Sequence, residues 1–150
     1  MQALASEVTA GRATPKLWGA EYSVYTRIVR LVLAECEVKY EWVEVDIFGE
    51  KEKLPADYIA SRHPFSKIPA FEHGENVQLF ETDAIAHYIV AAFPPRVNGD
   101  ERQQDSLLLP AAPAAQARCV QIMRVMDNYA FKSLVWGVYV EELERGRQGS

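Results

Sequence analysis

Pro69 stands between Ile68 and Ala70-Phe71, at the head of a short apolar run that reads as a buried strand. A residue without an N–H cannot donate to a sheet ladder, so within a sheet it is confined to a strand start, an edge or a bulge. The run therefore begins a strand at residue 69. A cis Ile68-Pro69 bond would turn the preceding backbone outward toward a ligand, although most X-Pro bonds are trans and the dipeptide alone does not specify the isomer.

The flanking chain supplies the partners such a strand needs. Residues 69–72 and 77–80 are separated by His73-Gly74-Glu75-Asn76, a turn that makes the two runs a hairpin. Upstream, Lys16-Leu17-Trp18-Gly19 fits a first buried strand, followed by a loop over residues 19–22. Ser23 can cap the next helix, in which Val24, Ile28, Leu31, Val32 and Glu35 recur at helical spacing. Residues 40–47 read as a strand whose apolar phase slips between Trp42 and Val43, which implies burial on both faces or a bulge. Residues 48–61 form a charged loop leading into a short helix with Leu54, Tyr58 and Ile59. Thr82 or Glu81 opens a helix with Ile85, Tyr88, Ile89 and Ala92 on one face, stopped by Phe93-Pro94-Pro95.

The order is strand, helix, strand, helix, hairpin, helix: an α/β domain. A crossover connection makes its first two strands parallel, and the hairpin adds an antiparallel pair. Residues 1–14 read as a loose leader, with no basic stretch before an apolar core as in a secretory signal. Residues 95–106 form a linker. From Pro113 an Ala-rich run places Gln116, Cys119, Met123, Met126 and Ala130 close to a single helical stripe, and residues 134–140 are strongly apolar. A region of residues 107–150 holds one long helix or two, and a stripe ending in Trp136 and Tyr139 needs a partner surface.

Composition removes several function classes. With 150 residues, 49% apolar and 25% charged, the chain has the makeup of an ordinary globular protein. A net charge of −5 without a Lys/Arg stripe argues against a nucleic-acid surface. No long uncharged apolar run is present to span a membrane. Cys36 and Cys119 make neither a CxxC pair nor a metal-ligand set, and His63 and His73 read as loop residues, with His87 inside a helix. The reading is a metal-free protein of a reducing, cytoplasmic compartment.

Two segments carry a family resemblance. His63-Pro64-Phe65-Ser66-Lys67-Ile68-Pro69-Ala70-Phe71 resembles the Asn-Pro-x-Gly-x-Val-Pro-x-Leu signature of soluble glutathione transferases, and residues 79–89, containing Phe80-Glu81-Thr82-Asp83, resemble their Leu-x-Glu-Ser-x-Ala-Ile-x-x-Tyr-Ile segment. His63, Ser66 and Thr82 depart from the usual Asn, Gly and Ser. The resemblance runs over residues 16–93 and more faintly over 107–143. It implies a thioredoxin-like domain (βαβαββα) over residues 15–94, followed by a truncated all-α region, with glutathione as co-substrate, a small electrophile or peroxide as second substrate, a detoxification role and a homodimer.

The resemblance also assigns residues. Ser23-Val24-Tyr25-Thr26-Arg27 is similar to the Ser-x-Phe/Tyr-x-Arg pattern of the serine- and cysteine-type members, whose hydroxyl or thiol donates to the glutathione sulfur. A donor beside a helix N-terminus favours thiolate over thiol, although a serine there is also an ordinary N-cap. Tyr22 and Tyr25 compete for the role, since tyrosine fills it elsewhere in the family. Glu81 and Thr82 would receive the α-amino and α-carboxylate groups of the γ-glutamyl end, although acidic residues also suit any helix start. Ile68 would exchange backbone hydrogen bonds with the cysteinyl residue, Pro69 would hold that backbone exposed, and Lys53 or Lys67 would meet the glycine carboxylate. Two other readings compete. One is a glutathione-binding module without turnover, because the short second region lacks the wall for an apolar co-substrate. The other, a thiol-disulfide oxidoreductase, is disfavoured because position 23 is Ser and no cysteine lies nearby.

Overall fold

The structure, a computed structural model, describes residues 13–47, 58–94 and 108–148. The leader up to residue 12, the linker at 95–106 and most of the segment expected to hold the second helix, Lys53 included, lie outside the described residues. The chain divides into two compact units, Met1–Ser106 and Leu107–Ser150.

The first unit is built on a four-stranded mixed sheet in the order β2-β1-β3-β4. Its strands are β1 (Lys16–Gly19), β2 (Glu41–Glu44), β3 (Ala70–His73) and β4 (Val77–Phe80). The first two are parallel, in the register Leu17↔Trp42, because the chain between them makes a crossover through helix α1 (Val24–Glu35). β3 runs antiparallel to β1, with Trp18 opposite Ala70. The hairpin pairs Ala70 with Phe80 and His73 with Val77, and Gly74 takes the positive φ of 62° that its turn requires. Helix α2 (Thr82–Ala92) closes the domain. The expected thioredoxin-like order is thus the one observed, and the Ile68-Pro69 bond is cis.

Alternation along the strands sorts the two faces of the sheet. Leu17, Gly19, Phe71 and His73 face α1 and α2, where Val29, Leu33, Ile85 and Ile89 are fully buried and Phe71 packs against Tyr88 at 5.9 Å between ring centroids. The opposite face carries Trp18, Ala70 and Glu72. A π-helical turn, Tyr58–Arg62, covers it. Arg62 lies over the Trp18 ring at 4.9 Å and pairs with Glu72 at 3.1 Å, while Tyr58 joins a cluster with Ala20, Val45, Ile68 and Ala70.

Two expectations from the sequence are corrected here. Helix α1 buries Thr26, Val29 and Leu33, whereas Val24, Ile28 and Leu31 of the expected stripe are exposed. Gly19 sets this rotation: a Cβ there would lie 2.5 Å from Thr26 Cγ2, so α1 comes down on β1 through a threonine that polarity excluded from the stripe. Strand β2 is not buried on both faces but is an edge strand. Its Trp42 is covered on one side by the Arg30 guanidinium, 5.3 Å from the ring centroid, and Val43 lies half-buried on the other, which is why both halves of the apolar phase slip appear. Helix α1 ends on a Schellman pattern, with Glu37 N–H bonding Ala34 O, Val38 N–H bonding Leu33 O at 2.8 Å, and Glu37 at φ 54°.

The second unit is helical. Helix α3 (Pro113–Val125) starts with proline in its first turn, where the missing N–H has no intrahelical acceptor to lose. It continues as a π-helical stretch, Met126–Val140, into α4 (Glu141–Gln148). Helix α3 has no buried residue: Cys119 and Met123 of the expected stripe are half-buried, and Val120, Ile122, Met126, Leu134 and Trp136 are exposed.

Candidate functional site

Strand register brings the candidate residues together. Trp18, Ala70 and Phe80 lie in one row across β1, β3 and β4. The exit of β1 toward α1, the entry of β3 and the exit of β4 into α2 are therefore at the same end of the sheet. Ser23, Ile68-Pro69 and Glu81-Thr82 are carried by those three passages.

Ser23 is the N-cap of α1. Its Oγ accepts the Thr26 N–H at 3.2 Å, and its own N–H donates to Ala20 O at 3.1 Å. The capping role and the chemical role are compatible, because a cap uses a lone pair of the hydroxyl and leaves its proton to donate. Tyr22, one competitor, donates its hydroxyl to Asp46 Oδ1 at 3.1 Å instead. Tyr25 is half-buried on α1.

Glu81 is the N-cap residue of α2 at φ 71°, and its side chain makes no cap hydrogen bond. A non-glycine residue held at positive φ is strained by about 1–2 kcal/mol, and such residues concentrate at ligand sites. Thr82 is the first residue of the helix, where first-turn N–H groups have no intrahelical acceptor and the helix end is positive. Asp83 Oδ1 takes the Ala84 N–H at 3.0 Å. This end can receive a carboxylate on backbone donors and an ammonium on the Glu81 side chain.

Ile68 is buried, and Lys67 is exposed with its carbonyl turned inward to accept the Tyr58 hydroxyl at 2.6 Å. Ser66 holds φ 53°, which explains why a glycine is the usual residue at this point of the motif. Lys53 cannot be compared with Lys67, since it lies outside the described residues.

His63 lies in a loop as read, whereas His73 belongs to β3, and each is only 2% exposed. His63 Nδ1 accepts the Phe65 N–H at 3.3 Å, and its ring lies 5.0 Å from that of Phe80, one residue before Glu81. Burial pulls its pKa below the usual histidine value, with Lys67 acting in the same sense and the negative charge of Glu81 opposing. His73 Nδ1 meets the Tyr88 hydroxyl at 2.7 Å. His87 sits in α2 and bonds Asp83 O at 2.8 Å. Among the described residues no group of three or more His, Cys, Asp or Glu could hold a metal ion, and no helix is long and apolar enough to cross a membrane.

Tyr58 and Thr26, both buried, do more than their sequence neighbourhoods announce. Tyr58 reads from the sequence as an apolar helix residue; the signal for its second role is a polar tip on an otherwise apolar position eleven residues before a strand-initiating proline. Thr26 entered only as part of a motif, and the glycine at the end of β1 is the signal for its close packing.

A family model described as glutathione S-transferase, N-terminal domain, matches residues 13–91. The chain is 36% identical over 80 residues to glutathione S-transferase PM239X14 of Arabidopsis thaliana, a match covering 53% of this chain and 36% of that protein. It is 39% identical over 84 residues to glutathione S-transferase F6 of the same plant, covering 55% and 38%. Among solved structures it is similar to a glutathione transferase homologue from Drosophila mojavensis with bound glutathione, with a TM-score of 0.63 at 25% identity, over 77% of this chain and 47% of that one. The matched stretch spans less than half the length of each of these proteins.

Proposed function

The chain belongs to the glutathione S-transferase family through its N-terminal domain, and from that premise we propose that it binds glutathione where β1, β3 and β4 converge and activates its thiol for attack on an electrophilic small molecule or a peroxide. The observation that carries this reading is the meeting of a capped serine hydroxyl, a strand entry at Ile68-Pro69 and a positive-φ glutamate at one end of the sheet. In this reading the chain is of the serine type. The Ser23 proton donates to the sulfur, and the head of α1 adds a positive field, so the thiol, ordinarily with a pKa of about 8.5, ionises near neutrality. Glu81 and Thr82 hold the γ-glutamyl end, the Ile68 backbone pairs with the cysteinyl residue, Pro69 sets that backbone, and Lys67 or Lys53 meets the glycine carboxylate. A reducing cytoplasm, where glutathione is kept as a thiol, and a homodimer complete the reading.

A second reading, a glutathione-binding module without turnover, is favoured by one observation: α3, in the region that would have to supply a wall for a co-substrate, buries none of its residues. One experiment addresses both. Glutathione binding is measured by calorimetry, and conjugation on the same samples, for the parent, Ser23→Ala and Glu81→Ala. Glu81→Ala is expected to weaken binding by about 10- to 100-fold. Ser23→Ala is expected to leave binding near the parent value and lower turnover by about 100-fold, as the loss of one donor to a developing anion does. Binding without turnover in the parent selects the module; no binding overturns both readings.

A further inference from the structure

We propose that the Tyr58 hydroxyl is a positioning group for the ligand-binding backbone at residues 67–68. The inference rests on the glutathione reading and adds to it a residue outside the motifs.

Tyr58 is 1% exposed and packs in the cluster with Ala20, Val45, Ile68 and Ala70, under the end of the sheet where the site forms. Its one polar atom reaches Lys67 O at 2.6 Å. Lys67 and Ile68 share a peptide unit, so a carbonyl fixed inward at 67 also fixes the Ile68 N–H, which points the opposite way across the same plane. The residues between Tyr58 and Lys67 are constrained too: His63 N–H bonds Tyr58 O at 3.0 Å, Ser66 N–H bonds His63 O at 2.9 Å, and Arg62 is tied to Glu72 and Trp18. The hydroxyl thus closes a loop between the π-helical turn and the entry of β3. Burial pushes its pKa well above the ordinary tyrosine value, so it remains a donor across the working pH range.

Removing the hydroxyl alone leaves ring and core volume in place but strands a carbonyl that must rotate toward water to be satisfied. That rotation carries the Ile68 N–H with it. A merely structural tyrosine would lower stability without touching the ligand.

The test compares Tyr58→Phe with Val45→Ala, a control that thins the same cluster and removes no hydrogen-bonding group. Two quantities are read: the glutathione dissociation constant by calorimetry, and hydrogen exchange of the Ile68 amide in the ligand-free chain. Tyr58→Phe is expected to weaken binding about tenfold and to speed Ile68 exchange by at least as much, while Val45→Ala lowers the melting temperature more and leaves both within about twofold. A parent that binds while Tyr58→Phe binds equally well, or a Val45→Ala that shifts binding as far, overturns the inference and leaves the glutathione reading standing. A parent that does not bind overturns that reading and this inference with it.

Discussion

At the scale of the residue, some places in the fold are announced by residue type and others are not. The places of Ser23, Ile68, Pro69, Glu81 and Thr82 were legible because each sits at a point where backbone geometry demands a particular residue type: a cap, a strand entry, a helix start. The burial of His63 was not. A histidine beside a proline and one phenylalanine looks like an open loop until the fold closes over it, and its ring packs against Phe80, remote in sequence. Its lowered pKa carries a pH dependence of definite sign. Protonation is harder in the folded state than in the unfolded chain, whose histidine titrates near 6.5, so the unfolded state binds more protons as the pH falls through that value. The contribution is present above the unfolded pKa and lost below it. Urea midpoints are therefore expected to fall between pH 7.5 and 5.5. In His63→Asn, which keeps an acceptor for the Phe65 N–H without a titrating group, they should fall less; equal slopes would remove His63 as the cause.

At the scale of the element, order and type of strands and helices were read from periodicity and turn residues, whereas the rotation of α1 was not. Both faces of that helix carry apolar side chains, so hydrophobic pattern alone cannot choose between them. What chooses is a contact between elements, the absent side chain of Gly19 against Thr26. Gly19→Ala is expected to destabilise the domain by about 1–3 kcal/mol, as overpacking at a rigid contact does. Because the crowding atoms are Thr26 Cγ2 and Oγ1, at 2.5 Å and 2.6 Å, the double variant Gly19→Ala/Thr26→Ala should recover part of that loss. Additive losses in chemical denaturation would mean that some other contact fixes the helix. The edge position of β2 was likewise invisible, because strand order is a property of the whole sheet and a phase slip is compatible with several neighbours.

At the scale of the whole molecule, the two units differ in what holds them together. The first buries Leu17, Val29, Leu33, Phe71, Ile85 and Ile89 around its sheet; helix α3 of the second buries no residue, and its exposed side chains include Val120, Ile122 and Val125. Helices in proteins draw most of their stability from packing rather than propensity, and a short helix without it is marginal in water. At micromolar concentration the amides of β1, β3 and the middle of α1 are expected to exchange slowly, and those of α3 close to the unprotected rate, in one hydrogen-exchange experiment. Equal protection in both would show that the apolar side chains of α3 are covered in solution. The sequence had flagged this stripe as needing a partner, and a single chain offers no way to read the partner from it.

The residues gathered at the end of the sheet are held there by counting. Trp18, Ala70 and Phe80 share a row only because the turn at residues 74–76 and the connections around it have the lengths they have. A point substitution at most exchanges one side chain at such a place. Inserting or deleting one residue in the hairpin shifts the pairing and sends every following side chain to the other face. For a lineage of such chains, drift in residue identity is tolerable at most positions, while the spacing between residues 68 and 82 is the quantity inheritance must protect.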